Sequence, residues 1–271
     1  MKAKELESIL AKIEDIVCEG EEIDKLKSIM RRCNLPRRVK ERIFFATKCL
    51  IYHYKDNKNG IFIVVSGIDK SGKETHAFNT KRIKGIKSIS QYLKEKSFNV
   101  LSVSLPSYQT TLGSLVESYL GKDKVKFEGK ISPNLAWILW SLDRAQHTKV
   151  IGNWLSKGKN YVVISKRWTE SNVVYQSIQG VDTKRIIKLE RNLVKQDVTL
   201  ILDISPEVAL LRGKEFDVYE ERKNLEKVRR LYLQLPKIYP YGDFYLIDSS
   251  RSLEDVNKDV IIAIKDIVKG K

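Results

Sequence analysis

Two patterns of hydrophobic and polar positions divide the chain near residue 58. In residues 2–17, 21–33 and 37–54, apolar positions recur at the three-to-four-residue spacing of an amphipathic α-helix. Leu6, Ile9 and Ile13 show this spacing in the first segment. Pro36 stands where the third helix would begin, a position that proline tolerates. The pattern therefore predicts a small all-α N-terminal appendage over residues 1–58.

The rest of the chain alternates short β-branched runs with helical periodicity. The predicted strands are 61–66, 100–105, 161–164, 198–204 and 244–247. The predicted helices are 73–97, 109–120, 133–157, 170–178, 205–212, 218–235 and 252–269. Continuous apolar runs are typical of strands buried on both faces, and their alternation with helices predicts a parallel sheet covered on both sides. The polar stretch 55–60 predicts a linker, so residues 59–271 are expected to form an α/β domain.

Chain length and composition fit this division. A chain of 271 residues is long for one α/β unit and short for two, which favours one main domain with an appendage. No apolar run approaches the ~20 residues of a membrane-spanning helix, so we expect no membrane partner. Cys18, Cys33 and Cys49 match neither a metal-binding nor a redox spacing. We therefore expect these cysteines to be buried thiols of a protein in the reducing cytoplasm.

The formal net charge of +16 is compatible with two interpretations. A positive field attracts phosphates, which suits a nucleotide or a nucleic acid. A lysine-rich surface also serves solubility, or the ion-pair networks of heat-adapted proteins. Charge alone therefore does not select a ligand.

The sequence GIDKSGKET at residues 67–75 carries the most specific chemistry. It follows the first predicted strand and begins a helix, the context of the phosphate loop (P-loop) of NTPases. Backbone N–H groups can converge on phosphates there, the helix N-terminus adds positive potential, and Lys73 can reach the β- and γ-oxygens. The position after this lysine usually carries a hydroxyl that ligates Mg²⁺, but here it is Glu74. Either Glu74 or Thr75 is therefore the candidate metal ligand.

Further blocks resemble the thymidylate kinase family. WILWSLDRAQH at 137–147 places Trp140 and Arg144 on one helical face, as the family places an aromatic residue and an arginine. KRWTESNVVYQ at 166–176 is similar to the family's Asp-Arg-Tyr signature with its downstream Ser, Tyr and Gln. Segments 105–113, 198–220 and 247–254 resemble further family segments in the same order. The resemblance covers about residues 60–269 and implies a P-loop α/β fold.

The resemblance implies an ATP-dependent dTMP kinase with Mg²⁺ as cofactor. Trp140 would stack on the thymine, Arg144 would hydrogen-bond the base, and Arg167 would clamp the acceptor phosphate. Asp69 would contact the sugar 3′-hydroxyl, and Lys70 would reach the transferred group. The implied dTMP-binding set is Asp69, Pro106, Tyr108, Trp140, Arg144, Arg167, Ser171 and Tyr175.

The donor side and the catalytic residues follow from the same resemblance. Arg212 and Lys214 would be the basic residues of a short lid, and Arg251 would border the adenine. The implied ATP-binding set is Gly67, Ser71, Gly72, Lys73, Glu74, Thr75, Arg212 and Arg251. The implied catalytic set is Lys73, Lys70, Arg167 and Arg212.

Three positions depart from the family pattern. Glu74 replaces the hydroxyl, Lys166 replaces an aspartate near the metal, and Tyr108 stands where some members have a phosphate-binding arginine. Glu74 and Lys166 have opposite charges and could pair, which would leave Mg²⁺ to ATP and water. Besides dTMP kinase, two hypotheses therefore stay open: a nucleotide binder with weakened catalysis, and a kinase for another nucleoside monophosphate. Taken alone, Trp140 and Arg144 would predict core packing and a surface charge.

The N-terminal helices leave their partner open. Residues 1–24 are acidic and residues 30–58 are basic. A basic helical face could contact nucleic acid, but a solvated surface is the commoner explanation. We favour packing of these helices on the kinase domain or on a second copy in a homodimer. Nucleotides are the expected small-molecule partners, and the cytoplasm is the expected location.

Overall fold

A computed structural model describes residues 1–53, 58–122, 125–213 and 222–270. Its strands are β1 (Ile61–Ser66), β2 (Asn99–Ser104), β3 (Tyr161–Lys166), β4 (Val198–Asp203) and β5 (Asp243–Asp248). Its helices are α1 (Ala3–Glu19), α2 (Ile23–Arg32), α3 (Arg37–Ile51), α4 (Lys73–Ala77), α5 (Ile89–Glu95), α6 (Thr111–Tyr119), α7 (Pro133–Leu155), α8 (Thr169–Ser177), α9 (Thr183–Leu189), α10 (Pro206–Arg212), α11 (Arg222–Ile238) and α12 (Leu253–Lys269). Within the described ranges, no helix has the length and apolar character needed to cross a membrane.

The five strands form one parallel sheet in the order β2-β3-β1-β4-β5. All six residues of β1 are buried, as expected for a central strand covered on both faces. The parallel α/β sheet predicted from the alternating pattern is confirmed. Predicted strand ends differ from the observed ends by at most two residues, the usual uncertainty of such boundaries.

Contacts divide the chain into two compact units. The second unit comprises residues 56–104, 150–174 and 195–271, and it contains the whole sheet. One face of its central strands packs with α5 and α12 into a continuous apolar core, in which Ile63, Val65, Leu93 and Ile264 are fully or almost fully buried. On the opposite face, Phe62 of β1 meets Trp168 edge-to-face with ring centroids 5.3 Å apart.

The first unit is helical and comprises residues 1–55, 105–149 and 175–194. Helix α1 buries its apolar stripe completely at Leu6, Ile9 and Ile13. Two polar contacts fix α1 within this unit: Glu14 pairs with Arg185 of α9, and Glu7 accepts a hydrogen bond of 2.6 Å from the backbone N–H of Ser132. The three predicted N-terminal helices therefore exist; α1 packs with α9 and α3 packs with α6. Whether residues 1–58 form an independent domain stays a prediction.

One predicted helix was wrong in its extent. Residues 73–97 form α4 and α5, with an irregular segment between them. Helix α4 ends at Ala77, and Asn79, two residues later, has a left-handed conformation (φ 47°). Its Nδ2 donates to the carbonyls of Ile83 and Ile86, and its Oδ1 accepts from the backbone N–H of Ile83. Such local side-chain bonds compete with helix continuation. Ser88 then begins α5 with a capping box completed by Gln91.

Other differences concern one missed helix, the predicted linker and the predicted lid. Helix α9 was not predicted; it is a short element that begins at the N-cap Asp182. Of the predicted linker 55–60, residues 55–57 lie outside the described ranges, whereas the backbone N–H groups of Asn59 and Gly60 both donate to the carbonyl of Leu155. The predicted lid residue Lys214 also lies outside the described ranges.

Candidate functional site

The loop between β1 and α4 has the backbone geometry that its glycines allow. Gly67 has φ 136°, and a Cβ atom added there would lie 2.4 Å from the carbonyl oxygen of Leu202. Gly72 has φ 91°, a conformation that residues with a side chain rarely adopt. The loop thus bends sharply from the end of β1 into the first turn of α4. The first backbone N–H groups of a helix have no carbonyl acceptor within that helix, so the start of α4 is suited to binding an anion.

Lys73 lies over this loop and is only 5% exposed. Its Nζ donates to the carbonyl of Ile68 at 2.5 Å and to the Ser71 hydroxyl at 3.4 Å. The Asp69 carboxylate is 3.8 Å from the same ammonium. The ammonium is therefore held beside the loop backbone, where a phosphate of a nucleotide would bring competing oxygen acceptors.

Asp69 joins two of the predicted cationic residues. Its carboxylate accepts a charge-assisted hydrogen bond from the guanidinium of Arg167, in addition to the nearby Lys73. Arg167 follows β3 directly and has the left-handed φ of 64°. Its backbone N–H donates to the carbonyl of Val65, which extends the pairing of β3 with β1 by one residue. Lys73, Asp69 and Arg167 thus form one cluster at the carboxyl edge of the sheet.

A buried polar network lies next to this cluster. Glu170 is fully buried, and its Oε1 accepts hydrogen bonds from the hydroxyls of Ser66 and Ser171 and from the backbone N–H of Trp168. The hydroxyls of Ser171 and Tyr232 are 2.8 Å apart. Burial raises the pKa of Tyr232 to about 12, so its hydroxyl stays protonated. Ser171, predicted to line a nucleotide pocket, is engaged within this network.

Glu74 and Lys166, the two departures at positions where the resemblance implies groups near a metal, lie together. Lys166, the last residue of β3, donates to Glu74 in the first turn of α4 at 2.6 Å. Both side chains are partly exposed, at 23% for Lys166 and 38% for Glu74. The expected pairing of these residues is confirmed.

A cavity of about 300 Å³ lies beside the loop in the same unit. Arg212 donates to the carbonyl of Ser249, whose hydroxyl donates to the carbonyl of Ser71. Burial and the charge of Arg212 lower the pKa of His76 to about 4, so this ring is neutral at pH 7. Four of the predicted ATP residues line the cavity together with His76: Gly72, Thr75, Arg212 and Arg251.

Lys70 also lines this cavity, whereas the remaining predicted acceptor-site residues belong to the first unit. Trp140 is 7% exposed and packs edge-to-face on Tyr119, with ring centroids 5.5 Å apart. Arg144, one turn later on α7, donates to the carbonyl of Trp140 at 2.9 Å. Tyr108 lies under the ammonium of Lys122. Pro106 and Tyr175 are half-buried in the same unit.

The loop that carries Pro106 and Tyr108 is fixed by α7. The Asp143 carboxylate accepts a hydrogen bond from the backbone N–H of Ser107 at 2.8 Å, and the Ser107 hydroxyl contacts His147 at 2.8 Å. Burial raises the pKa of Asp143 to about 6 and lowers the pKa of His147 to about 4. At neutral pH, an ionised Asp143 and a neutral His147 therefore hold this loop on α7.

Sequence reasoning missed the supporting side chains. Glu170 and Tyr232 were not singled out, although Glu170 lies inside the block 166–176 that carried the resemblance. Glu170 stands among the polar residues Thr169, Ser171 and Asn172, so the local sequence gives no signal that it is buried. The bidentate ion pair of Asp203 with Arg229, with both bonds at 2.7 Å, was missed as well. Nothing in the local sequence marks that pair.

Comparisons with known proteins find similarity over most of the chain. The family model described as thymidylate kinase matches residues 65–260. A probable thymidylate kinase of Pyrococcus horikoshii is 31% identical over 218 residues, which cover 78% of this chain and 98% of the relative. The probable thymidylate kinase of Methanocaldococcus jannaschii is 32% identical, covering 77% of this chain and 98% of the relative. The thymidylate kinase of Plasmodium falciparum is 29% identical, covering 80% and 93%.

Proposed function

Because the chain belongs to the thymidylate kinase family, we propose that it catalyses the ATP-dependent phosphorylation of dTMP to dTDP, a step of nucleotide biosynthesis. One observation carries the proposal. The range matched by the family, 65–260, includes the phosphate loop with Lys73 at the start of α4 and the adjacent Asp69–Arg167 pair. This cluster combines a triphosphate cradle with a guanidinium suited to a second phosphate.

On the donor side, we propose that the loop 67–75 binds the ATP phosphates and that the cavity beside it takes the adenosine. On phosphate binding, Lys73 would exchange the Ile68 carbonyl for charged phosphate oxygens, which are stronger acceptors. Arg212 and Arg251, at the cavity wall, are the proposed contacts beyond the loop. The proposed donor set is Gly67, Ser71, Gly72, Lys73, Glu74, Thr75, Arg212 and Arg251.

On the acceptor side, Arg167 is the proposed clamp for the dTMP phosphate, and its ion pair with Asp69 supports this role because it fixes the guanidinium. Trp140 and Arg144 are proposed to stack on and hydrogen-bond the base. The remaining proposed contacts are Asp69, Pro106, Tyr108, Ser171 and Tyr175.

The reaction needs little proton chemistry from the protein. An oxygen of the dTMP phosphate attacks the γ-phosphorus of ATP, the bond from that phosphorus to the bridging β,γ-oxygen breaks, and ADP leaves with the bond's electron pair. The second pKa of a phosphate monoester is ~6, so the acceptor is already ionised at neutral pH. Positioning and charge neutralisation therefore supply most of the catalysis. Lys70, Lys73, Arg167 and Arg212 are the proposed catalytic residues.

Mg²⁺ is proposed to enter as part of the Mg·ATP substrate. The protein groups at the usual ligand positions do not fit a resident Mg²⁺ ion, because Glu74 is paired with Lys166 and a protonated lysine has no lone pair for a metal. In the described part of the chain, no group of three or more His, Cys, Asp or Glu residues could hold a metal ion. Thr75, the other candidate metal ligand from the sequence, stays a proposed contact of ATP because it lines the cavity.

Replacement of Lys73 tests the donor assignment. Lys73→Ala should weaken ATP binding and abolish turnover, since it removes the ammonium held directly beside the loop backbone. Lys258→Ala is the matched control, because that lysine is 72% exposed on α12. Calorimetry with ATP and a coupled ADP assay with dTMP measure both effects. An ATP affinity unchanged by Lys73→Ala would contradict the assignment of this loop.

The same assay distinguishes the alternatives. dUMP or another monophosphate consumed faster than dTMP would favour a kinase for that nucleotide. ATP binding without turnover on any monophosphate would favour a nucleotide binder with weakened catalysis. The Glu74–Lys166 ion pair is the observation behind this hypothesis, because it occupies the usual metal-ligand positions.

Partners and location are proposed from separate observations. A homodimer is proposed from the family resemblance and is tested by sedimentation equilibrium. Nucleic-acid contact is the less favoured proposal; it rests on the exposed Arg37, Arg38 and Arg42 of α3 and is tested by gel shifts with duplex DNA. A cytoplasmic location is proposed because Cys18, Cys33 and Cys49 are free thiols, as is usual in reducing compartments.

A further inference from the structure

The ion pair between Glu74 and Lys166 lies where the phosphate loop meets the sheet. Lys166 pairs in register with Val65 of β1, and β1 continues through Ser66 into Gly67 of the loop. Glu74 follows Lys73 directly in the first turn of α4. The two charged side chains meet at 2.6 Å. They therefore flank the loop at its start and at its end.

The pair cannot supply ligands to Mg²⁺ in the usual way. Mg²⁺ takes oxygen ligands in near-ideal octahedral geometry. Lys166 is a cation with three N–H donors and no acceptor atom. Glu74 has a carboxylate, but it already accepts a charge-assisted hydrogen bond, and ligation of a metal would bring that metal beside the ammonium.

Other carboxylates at this edge of the sheet are engaged as well. Asp69 pairs with Arg167, and Asp203 at the end of β4 forms a bidentate pair with Arg229. Glu170 is fully buried and accepts from Ser66. In the described ranges, each of these carboxylates already accepts a hydrogen bond from a cation or a hydroxyl. Use of Asp69 or Asp203 as a metal ligand would therefore cost an existing ion pair, and Oε2 of Glu170, which accepts no hydrogen bond from the described residues, is buried.

We infer that Glu74 holds the Lys166 ammonium at the phosphate loop as a fixed cation for the ATP phosphates, so that this chain binds ATP without contributing a metal ligand. Of the three N–H donors of Lys166, one is used by Glu74, and the other two can be donated to phosphate oxygens. The inference rests on the proposed function only in taking ATP as the nucleotide. It concerns binding, and it holds or fails independently of phosphoryl transfer.

The inference makes a definite statement about metal dependence. A site that holds Mg²⁺ through its own residues binds Mg·ATP much better than free ATP, because those protein–metal bonds are lost without the ion. Here the protein–phosphate contacts come from ammonium, guanidinium and backbone groups, which free ATP retains. We expect the ATP affinity of the wild-type protein to change less than about threefold between Mg²⁺ and EDTA buffers, a small difference on the scale of binding free energies.

Calorimetric titration of the full chain with ATP, in Mg²⁺ and in EDTA, tests this statement. Lys166→Met should lower the affinity for free ATP by about tenfold, the size expected for one lost charge-assisted contact. Glu74→Ser with Lys166→Asp should make binding metal-dependent by about tenfold, because a hydroxyl and a carboxylate then face the ion. Lys87→Met is the matched control; Lys87 forms an ion pair of the same 2.6 Å with Glu95, away from the loop. Thermal unfolding verifies that each variant is folded.

The outcomes separate the two proposals. Metal-independent ATP binding without dTMP phosphorylation supports the inference and contradicts the proposed activity. A fall of about tenfold or more in wild-type ATP affinity on removal of Mg²⁺ overturns the inference and leaves the activity intact. An unchanged affinity for free ATP in Lys166→Met also overturns it, since Lys166 would then not contact the phosphates. No ATP binding by the wild type, with or without Mg²⁺, overturns both.

Discussion

Charged side chains around the phosphate loop hold one another in position. Asp69 lies between Lys73 and Arg167, and its carboxylate offsets part of the repulsion that two cations would otherwise experience. Loss of one member of such a partly buried cluster leaves the others with uncompensated charge, which costs more than the contact itself. At this scale, the residues proposed to bind phosphates also hold one another in position.

Trp140 has an observed packing contact and a proposed role in base stacking, which mutation can separate. It is nearly buried and packs on Tyr119, as the packing interpretation expects, and its stacking on the base stays a proposal. Trp140→Leu should weaken dTMP binding by roughly 1–3 kcal/mol, the range for stacking of a base on an aromatic ring. ATP affinity should stay the same, because the donor loop lies in the other unit.

A second tryptophan on the same helix provides the control. Trp137 is fully buried in α7 and is not among the proposed contacts. Trp137→Leu should lower the free energy of unfolding but leave dTMP affinity unchanged. Calorimetry and urea unfolding of both variants measure the two quantities. Equal losses of dTMP affinity in the two variants would show that Trp140 acts through packing alone.

At the scale of elements, the apolar periodicity of a helix determines which of its faces is buried against its neighbours. The stripe of α1 is completely buried, and α1 packs with α2, α3 and α9. By contrast, the periodic segment 73–97 does not stay one helix, because Asn79 and Ser88 offer local caps that end one helix and begin the next. A hydrophobic pattern therefore locates a helical segment better than it fixes its ends.

The buried stripe of α1 gives a quantitative prediction. Ile13→Ala should lower the free energy of unfolding by about 2–5 kcal/mol, because it removes a fully buried side chain and leaves a cavity. Ile262→Ala on α12 should change it by no more than ~0.5 kcal/mol, since Ile262 is 54% exposed. Urea unfolding followed by circular dichroism measures both. A small effect at Ile13 would mean that α1 is only loosely packed.

At the scale of the whole molecule, the N-terminal helices share a compact unit with later segments. Residues 1–55 group with 105–149 and 175–194, and the latter two carry Pro106, Tyr108, Trp140, Arg144 and Tyr175. From the sequence, the proposed nucleotide residues all lie after residue 59, so that a chain lacking the first helices would still contain them. In the structure, those helices bury apolar surface of the unit that holds five of these residues.

A chain that starts at Asn59 should therefore fold poorly. Removal of α1 and α3 exposes the apolar surfaces of α9 and α6 against which they pack. We expect the shortened chain to aggregate or to bind a hydrophobic dye, and to lose dTMP binding first. Size-exclusion chromatography, dye fluorescence and calorimetry test this expectation. A monodisperse, cooperatively unfolding fragment with wild-type dTMP affinity would show that residues 1–58 form a separable domain.

The sequence by itself determined the features that depend on local order along the chain. Continuous β-branched runs identified the parallel strands, and the glycines of 67–75 identified the phosphate loop, because both signals are contained in a few neighbouring residues. The resemblance added the order of the later segments. Because the resemblance assigns both Glu74 and Lys166 to positions near the Mg²⁺ ion, we expected these two oppositely charged residues to pair.

Only the tertiary structure decided which distant side chains meet. Glu170 becomes a buried acceptor for Ser66, 104 positions away in the chain, because β3 pairs with β1 in one particular register. Asp203 meets Arg229, and α1 meets α9, through packing that no local pattern encodes. The reason is physical: local sequence biases backbone conformation, whereas the partner of a charged or apolar side chain depends on strand order, register and helix packing, which involve the whole chain.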